Sequence, residues 1–387
     1  MTVIFFQLLH LLANKNDLHK ERLPMRKKIV FLLPYLLLVF LIREAKSWMP
    51  PLEIDVVSIT FDFESGYADD ALYIRKNAST YIAKPEWLPP SRNNPLAYIK
   101  SQANRHIYVS FTHNQGAGEI CFMLVKANGG GYYPGTIQET YVSFPSCGTT
   151  ASAELTLTGG STPGYVQKWG FSLYWYVTDI NDQPQNPNLS LGTTGVHLYY
   201  TLLAAPQAPV AEPWTDVLDL ACTWASNKTY ENQAIAAITT NAYNYFGQTK
   251  HYDGGGTHAG GTAFNLTSFF SNNWGDCQDM SAVVQVFTWM LGGSVARVRT
   301  IDDKNLYIED FYYKSIKPFG QGWTQGVNRW NFHQVGWYNN VYDACIKVNY
   351  NNPRIPVDED INGSYKTDLY YSGAWVPKNP FYFTTVY

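Results

Sequence analysis

A cysteine set where a loop turns into a helix constrains this chain more than any other feature. Trp274-Gly275-Asp276-Cys277-Gln278-Asp279 runs straight into Met280-Ser281-Ala282-Val283-Val284-Gln285-Val286-Phe287. Asp276 is expected as the N-cap, with Cys277 in the first helical turn. The helix should bury Val283, Val284, Phe287 and Leu291 and stop near Gly292-Gly293. N–H groups at a helix start lack partners and carry partial positive charge. A thiolate placed there is stabilised, so the Cys277 thiol pKa is expected to fall and the sulfur to become a nucleophile.

A base and its orienter follow in the chain. His333 lies in Phe332-His333-Gln334-Val335 and Asp343 in Val341-Tyr342-Asp343-Ala344, on an apparent hairpin. A two-residue turn at Asn339-Asn340 would put the two side chains on opposite faces. A three-residue turn, Tyr338-Asn339-Asn340, puts them on one face as diagonal neighbours, roughly 7–8 Å apart between backbones. The odd-numbered loop is therefore expected, with a left-handed Asn at its last position. His251 and His258 are weaker bases because both lie in a glycine-rich loop, Tyr252 to Gly261. The Cys277 backbone N–H is a natural oxyanion donor; Trp274 and Gln278 are candidates for the rest of the cleft and the second donor. Asp279 is expected to cap or to pair with Arg297. Trp274, Trp330 and Trp337 could wall a cleft or simply fill a core. The spacing of Cys277, Asp279 and Cys345 matches no closed zinc site, so no metal is expected.

These residues resemble a known family. Gly275-Asp276-Cys277-Gln278-Asp279, Ala282, Leu291-Gly292 and Ala296-Arg297 resemble the Gly-x-Cys…Leu-Gly-x-x-Ala-Arg pattern of the transglutaminase-like superfamily, with His333 and Asp343 in matching order. The resemblance covers roughly residues 214–350. It implies a papain-related α+β fold with a Cys-His-Asp triad, seen in cross-linking enzymes, peptide-N-glycanases and microbial peptidases. The His-to-Asp gap is only ten residues, and Gly293-Ser294-Val295 is one residue longer than the pattern; Asp358 or Asp360 could replace Asp343.

The N-terminus reads as a secretory signal over residues 1–47. Arg26-Lys27-Lys28 precedes an almost wholly apolar run from Ile29 to Ile42, and Ala45-Lys46-Ser47 fits a cleavage site. Met25 is a plausible true start. Removing these residues takes eight basic and three acidic side chains from 28 and 31, leaving 20 against 28 and a net charge of −8. That argues against nucleic acid and anionic membranes as partners. In an oxidising compartment most of the five cysteines should pair. Cys121–Cys147 and Cys222–Cys345 are the expected bonds, which leaves Cys277 free.

Residues 48–205 read as an all-β, sandwich-like domain, with runs such as His106–Phe111 and Phe171–Val177 separated by turn clusters such as Asn128-Gly129-Gly130-Gly131. Residues 206–213 form a proline-rich linker, expected to be stiff and extended. Residues 214–387 then open on helices, Trp214–Ala225 and Tyr230–Phe246, and close on strands, including Ala296–Ile301 and Leu306–Phe311, which gives an α+β domain. The expected function is a secreted, extracytoplasmic cysteine-dependent acyl transfer on peptide or carboxamide bonds, hydrolytic or transglutaminase-like. It needs no cofactor, and no calcium loop is present. The substrate would be a protein or peptide, with cell-surface or cell-wall material as a candidate, and no stable membrane span should remain after signal removal. The alternative is a non-catalytic extracellular binding or adhesion protein that retains the fold.

Overall fold

The computed structural model describes residues 51–61, 71–80, 86–89, 92–131, 135–195, 197–293, 297–302 and 311–387. The signal-like segment 1–47, the Arg297 side chain and residues 306–310 of an expected strand lie outside the described residues and side chains. Glu53–Tyr387 is one compact unit, strand-rich with a helical minority.

Strand-forming runs of alternating apolar and polar residues build one 11-stranded sheet rather than two separate ones. Its strands are β1 (Ile54–Thr60), β2 (Glu86–Leu88), β3 (Arg92–Asn93), β4 (Leu96–Ile99), β5 (Ala103–His113), β6 (Phe122–Gly131), β7 (Thr136–Ser143), β8 (Thr150–Ser161), β9 (Gln167–Ile180), β10 (Gln183–Thr193) and β11 (His197–Leu202). Their order is β3-β2-β1-β5-β8-β7-β6-β9-β11-β4, with β10 also on β9. In β9 the alternate residues Trp169, Phe171, Leu173, Trp175 and Val177 are buried, as a one-sided sheet requires. The sheet curls: Phe111 on β5 meets Trp175 on β9 at 5.8 Å although three strands lie between them. Asn181 and Asp182 adopt positive φ at the β9–β10 turn, which suits a tight hairpin. The cluster Asn128–Gly131, expected as a turn, is instead strand and pairs with β9. A Cβ on Gly130 would lie 2.5 Å from the Tyr174 ring, so glycine here makes room for a cross-strand aromatic.

The connector is not extended. Val210 N–H donates to the Gln207 carbonyl, closing a turn, and Gln207 N–H donates to Trp289 at a helix end. The helices are α1 (Thr215–Trp224), α2 (Glu231–Thr249), α3 (Leu266–Ser271), α4 (Cys277–Met290) and α5 (Ser364–Leu369). Asp219 on α1 accepts from Lys168 of β9 and Tyr200 of β11, both at 2.6 Å. Apolar side chains of the sheet, such as Tyr200 and Leu202, share one core with Leu218, Phe246 and Phe287 of the helices.

α4 is the central element. Its residues from Asp279 to Met290 are all buried, the mark of a helix enclosed on every side. Its polar members are satisfied: Ser281 donates to Gln278, Thr288 to Val284, and Gln285 accepts from the Phe383 N–H. The helix ends as expected, with Gly292 at φ +83 and Gly293 N–H donating to Thr288. A Cβ on Gly292 would fall 2.0 Å from the Ala204 carbonyl oxygen, so no other residue fits. α4 packs against a second sheet, ordered Val357–Glu359, Asn340–Tyr342, Phe332–Tyr338, Arg297–Asp302 and Val376–Pro377. Contact is close at Gly336, whose added Cβ would sit 2.7 Å from Val284.

Candidate active site

Asp276 caps α4 as expected. Its side chain accepts from Asp279 N–H, and the Asp279 carboxylate returns to the Asp276 N–H, a reciprocal capping box. Asp279 also accepts from His258 N–H at 2.7 Å, Ala259 N–H at 2.8 Å and the Thr257 hydroxyl at 3.2 Å. The glycine-rich loop is thereby stitched to the helix start. Burial and the neighbouring Asp276 carboxylate push Asp279 up to about 7, against the pull of these N–H donors. Lys250, at the end of α2, aims its ammonium at the carbonyls of Phe269, Phe270 and Asn272, fixing the segment that enters the cysteine loop.

The hairpin register is the one expected. Gly336 pairs with Tyr342, Trp337 with Val341 and Tyr338 with Asn340, so the loop is odd-numbered. The left-handed residue is Asn339, φ +61, rather than Asn340, because pairing continues to the last possible rung and leaves one residue at the tip. On this frame His333 Nε2 lies 2.8 Å from Asp343 Oδ2. An ionised carboxylate only accepts, so the proton is on Nε2 and Nδ1 is left as an acceptor. Nδ1 has no hydrogen-bond partner and is buried. Exposure of Cys277, His333 and Asp343 is 4%, 0% and 1%. The next residue, Gln334, donates its backbone N–H to the Cys277 sulfur, and its side chain donates to Ser281 on α4. The Cys277 sulfur thus lies against the histidine strand where α4 begins, at the residue next to the His333–Asp343 pair.

Electrostatics here run against the sequence expectation. Burial pushes the Cys277 thiol well above its ordinary range, and the Asp276, Asp343 and Asp279 carboxylates push the same way; only the Gln334 N–H opposes them. A helix start does not lower a thiol pKa when its first turn is crowded with acids and closed to water. The resting sulfur is a neutral thiol that needs a base.

Asp343 is held on three sides. Tyr365 on α5 donates its hydroxyl to Oδ2 at 2.8 Å, and Cys345 N–H donates to Oδ1 at 2.8 Å. Neither partner carries a motif in the sequence. The alternatives to Asp343 are engaged elsewhere: Asp358 accepts from Asn340 and Tyr342, and Asp360 accepts from Asn362 and Gly363 N–H. Trp330 stacks on the His333 ring at 4.4 Å and 9°, with Tyr313 behind it at 4.0 Å. Trp274 stacks on His258 at 4.0 Å and covers Gly256. Trp337 lies four residues along the histidine strand from His333. His258 bonds Ser268 through Nδ1, while His251 pairs with Trp274 in a short strand. The Gln278 side chain is held by Asp276 at 3.2 Å.

Cys121 and Cys147 form a disulfide, but Cys222 and Cys345 do not; with Cys277 they are buried free thiols. Cys222 lies beside Asp219, whereas Cys345 lies beside Asp343 and shares that surrounding with Cys277. Among the described residues no cluster of three His, Cys, Asp or Glu side chains could hold a metal ion, and no helix is long and apolar enough to cross a membrane.

No family model matches this sequence, and no curated protein matches it.

Proposed function

We propose that this chain is a secreted, transglutaminase-like cysteine enzyme that transfers acyl groups from peptide or carboxamide bonds. The observation that carries the reading is the buried His333–Asp343 pair, whose second ring nitrogen is unpartnered beside the residue that holds the Cys277 sulfur. Such a pair does what a neutral thiol needs. His333 Nδ1 takes the thiol proton as Cys277 Sγ attacks the carbonyl carbon. The developing oxyanion accepts from the Cys277 backbone N–H, an unpaired donor at the start of α4. His333 returns the proton to the leaving amine or ammonia. Water or a second amine then resolves the thioester, with His333 again the base. Asp343 keeps the imidazole in the Nε2–H tautomer throughout. The curled β sheet would bind substrate or hold the enzyme at a surface.

The enclosure of the site favours one rival. A thiol raised by burial, with a fully buried histidine under Trp330, also suits a non-catalytic binding or adhesion protein. Incubating the mature protein with a glutamine-containing peptide library, with and without a primary amine, separates the two. The enzyme gives mass losses or gains of ammonia, water or amine that vanish in Cys277→Ser. A library left unchanged by wild type supports the rival.

A further inference from the structure

The proposed mechanism leaves one buried phenol unused. Tyr365 sits on α5, outside the segment that resembles the transglutaminase-like pattern, and its side chain is fully buried. Its hydroxyl lies 2.8 Å from Asp343 Oδ2, the same oxygen that faces His333 Nε2 at 2.8 Å. The other oxygen, Oδ1, takes the Cys345 N–H. Three donors arriving from three chain segments leave this carboxylate little rotational freedom. The other ionisable groups that face Asp343 are the Cys277 thiol on α4, the Cys345 thiol and the Tyr243 phenol on α2; burial holds each of them neutral. Burial and Asp343 itself raise the Tyr365 phenol, so it keeps its proton and remains a donor.

We infer that Tyr365 is a positioning residue: its hydroxyl aims Asp343 Oδ2 at His333 and sets how strongly that carboxylate stabilises the imidazolium. The inference rests on the catalytic reading of Cys277, His333 and Asp343. A donor shared on one oxygen disperses the carboxylate charge, which lowers its pull on the imidazolium proton. Removing the hydroxyl should therefore strengthen that pull while freeing the carboxylate to turn.

The test is proton NMR of His333, assigned by its loss in His333→Ala, together with the rate of Cys277 alkylation by iodoacetamide. In Tyr365→Phe the His333 pKa should rise by about half a unit or more, the low-field Nε2–H resonance should move, and alkylation should change roughly tenfold, as expected for one hydrogen bond to a charged group. Site-specific 3,5-difluorotyrosine at position 365, a stronger donor of nearly the same size, should shift the pKa the other way, and it serves if Tyr365→Phe does not fold. A His333 pKa and Nε2–H resonance unchanged in the variant that folds would overturn the positioning role. Cys277 alkylation unchanged in His333→Ala would instead overturn the catalytic reading itself.

Discussion

His333 has two different nitrogens, and only one is engaged. Nε2 meets Asp343, whose carboxylate also serves Tyr365 and Cys345, while Nδ1 is left over. An orphaned buried ring nitrogen costs free energy, and such costs persist where chemistry uses the group. Removing the carboxylate orphans three donors at once in a site that excludes water. Asp343→Ala should cost about 3–5 kcal/mol, the penalty of breaking a buried hydrogen-bonded charge, and chemical denaturation of variant and wild type measures it. A loss below about 1 kcal/mol would mean that the carboxylate is not buried and shared as described.

At the scale of elements, the start of α4 depends on Asp279 as much as on its cap. Asp279→Ala removes the acceptor of the Asp276, His258 and Ala259 N–H groups together. It should cost more than the roughly 1 kcal/mol of an ordinary cap. Backbone hydrogen exchange at residues 257–259 and 276–280 should rise first, and protection unchanged in both stretches would contradict the stitching. Much of this element was legible in the sequence: Asp276 before an apolar run, Gly292-Gly293 at its end, and a hairpin register decided by whether His333 and Asp343 share a face. Local rules govern each of these. What the sequence could not reveal depends on groups brought together by folding. Tyr365 reaches Asp343 from 22 residues away on a helix without a motif, and the Cys277 pKa is set by burial and three acids rather than by the helix start alone. The glycines at 129–131 misled because they pair as strand with β9, and Gly130 makes room there for the Tyr174 ring, a cross-strand contact with no local trace.

For the whole molecule, burial has a second electrostatic consequence, far from the site. His197 is enclosed on β11 by Phe61, Trp87 and Phe171, and burial lowers its pKa from 6.5 to about 4. Between those values the unfolded chain binds a proton that the folded chain refuses. Stability should therefore fall as pH drops from 6.5 towards 4, by about 3 kcal/mol in total. His197→Gln should flatten that slope in urea unfolding followed across pH, and an equal slope in both proteins would contradict the assignment.

The central claim is that the enclosed Cys277 thiol is activated by the His333–Asp343 pair. The most direct measurement is site-resolved iodoacetamide labelling of the native protein across pH, with Cys222 and Cys345 as internal controls. Cys277 should react at least about a hundredfold faster than either control near neutral pH, the size of a general-base contribution, and should lose that advantage in His333→Ala. Labelling of Cys277 that is no faster than that of the two controls, or that is indifferent to His333, would contradict it.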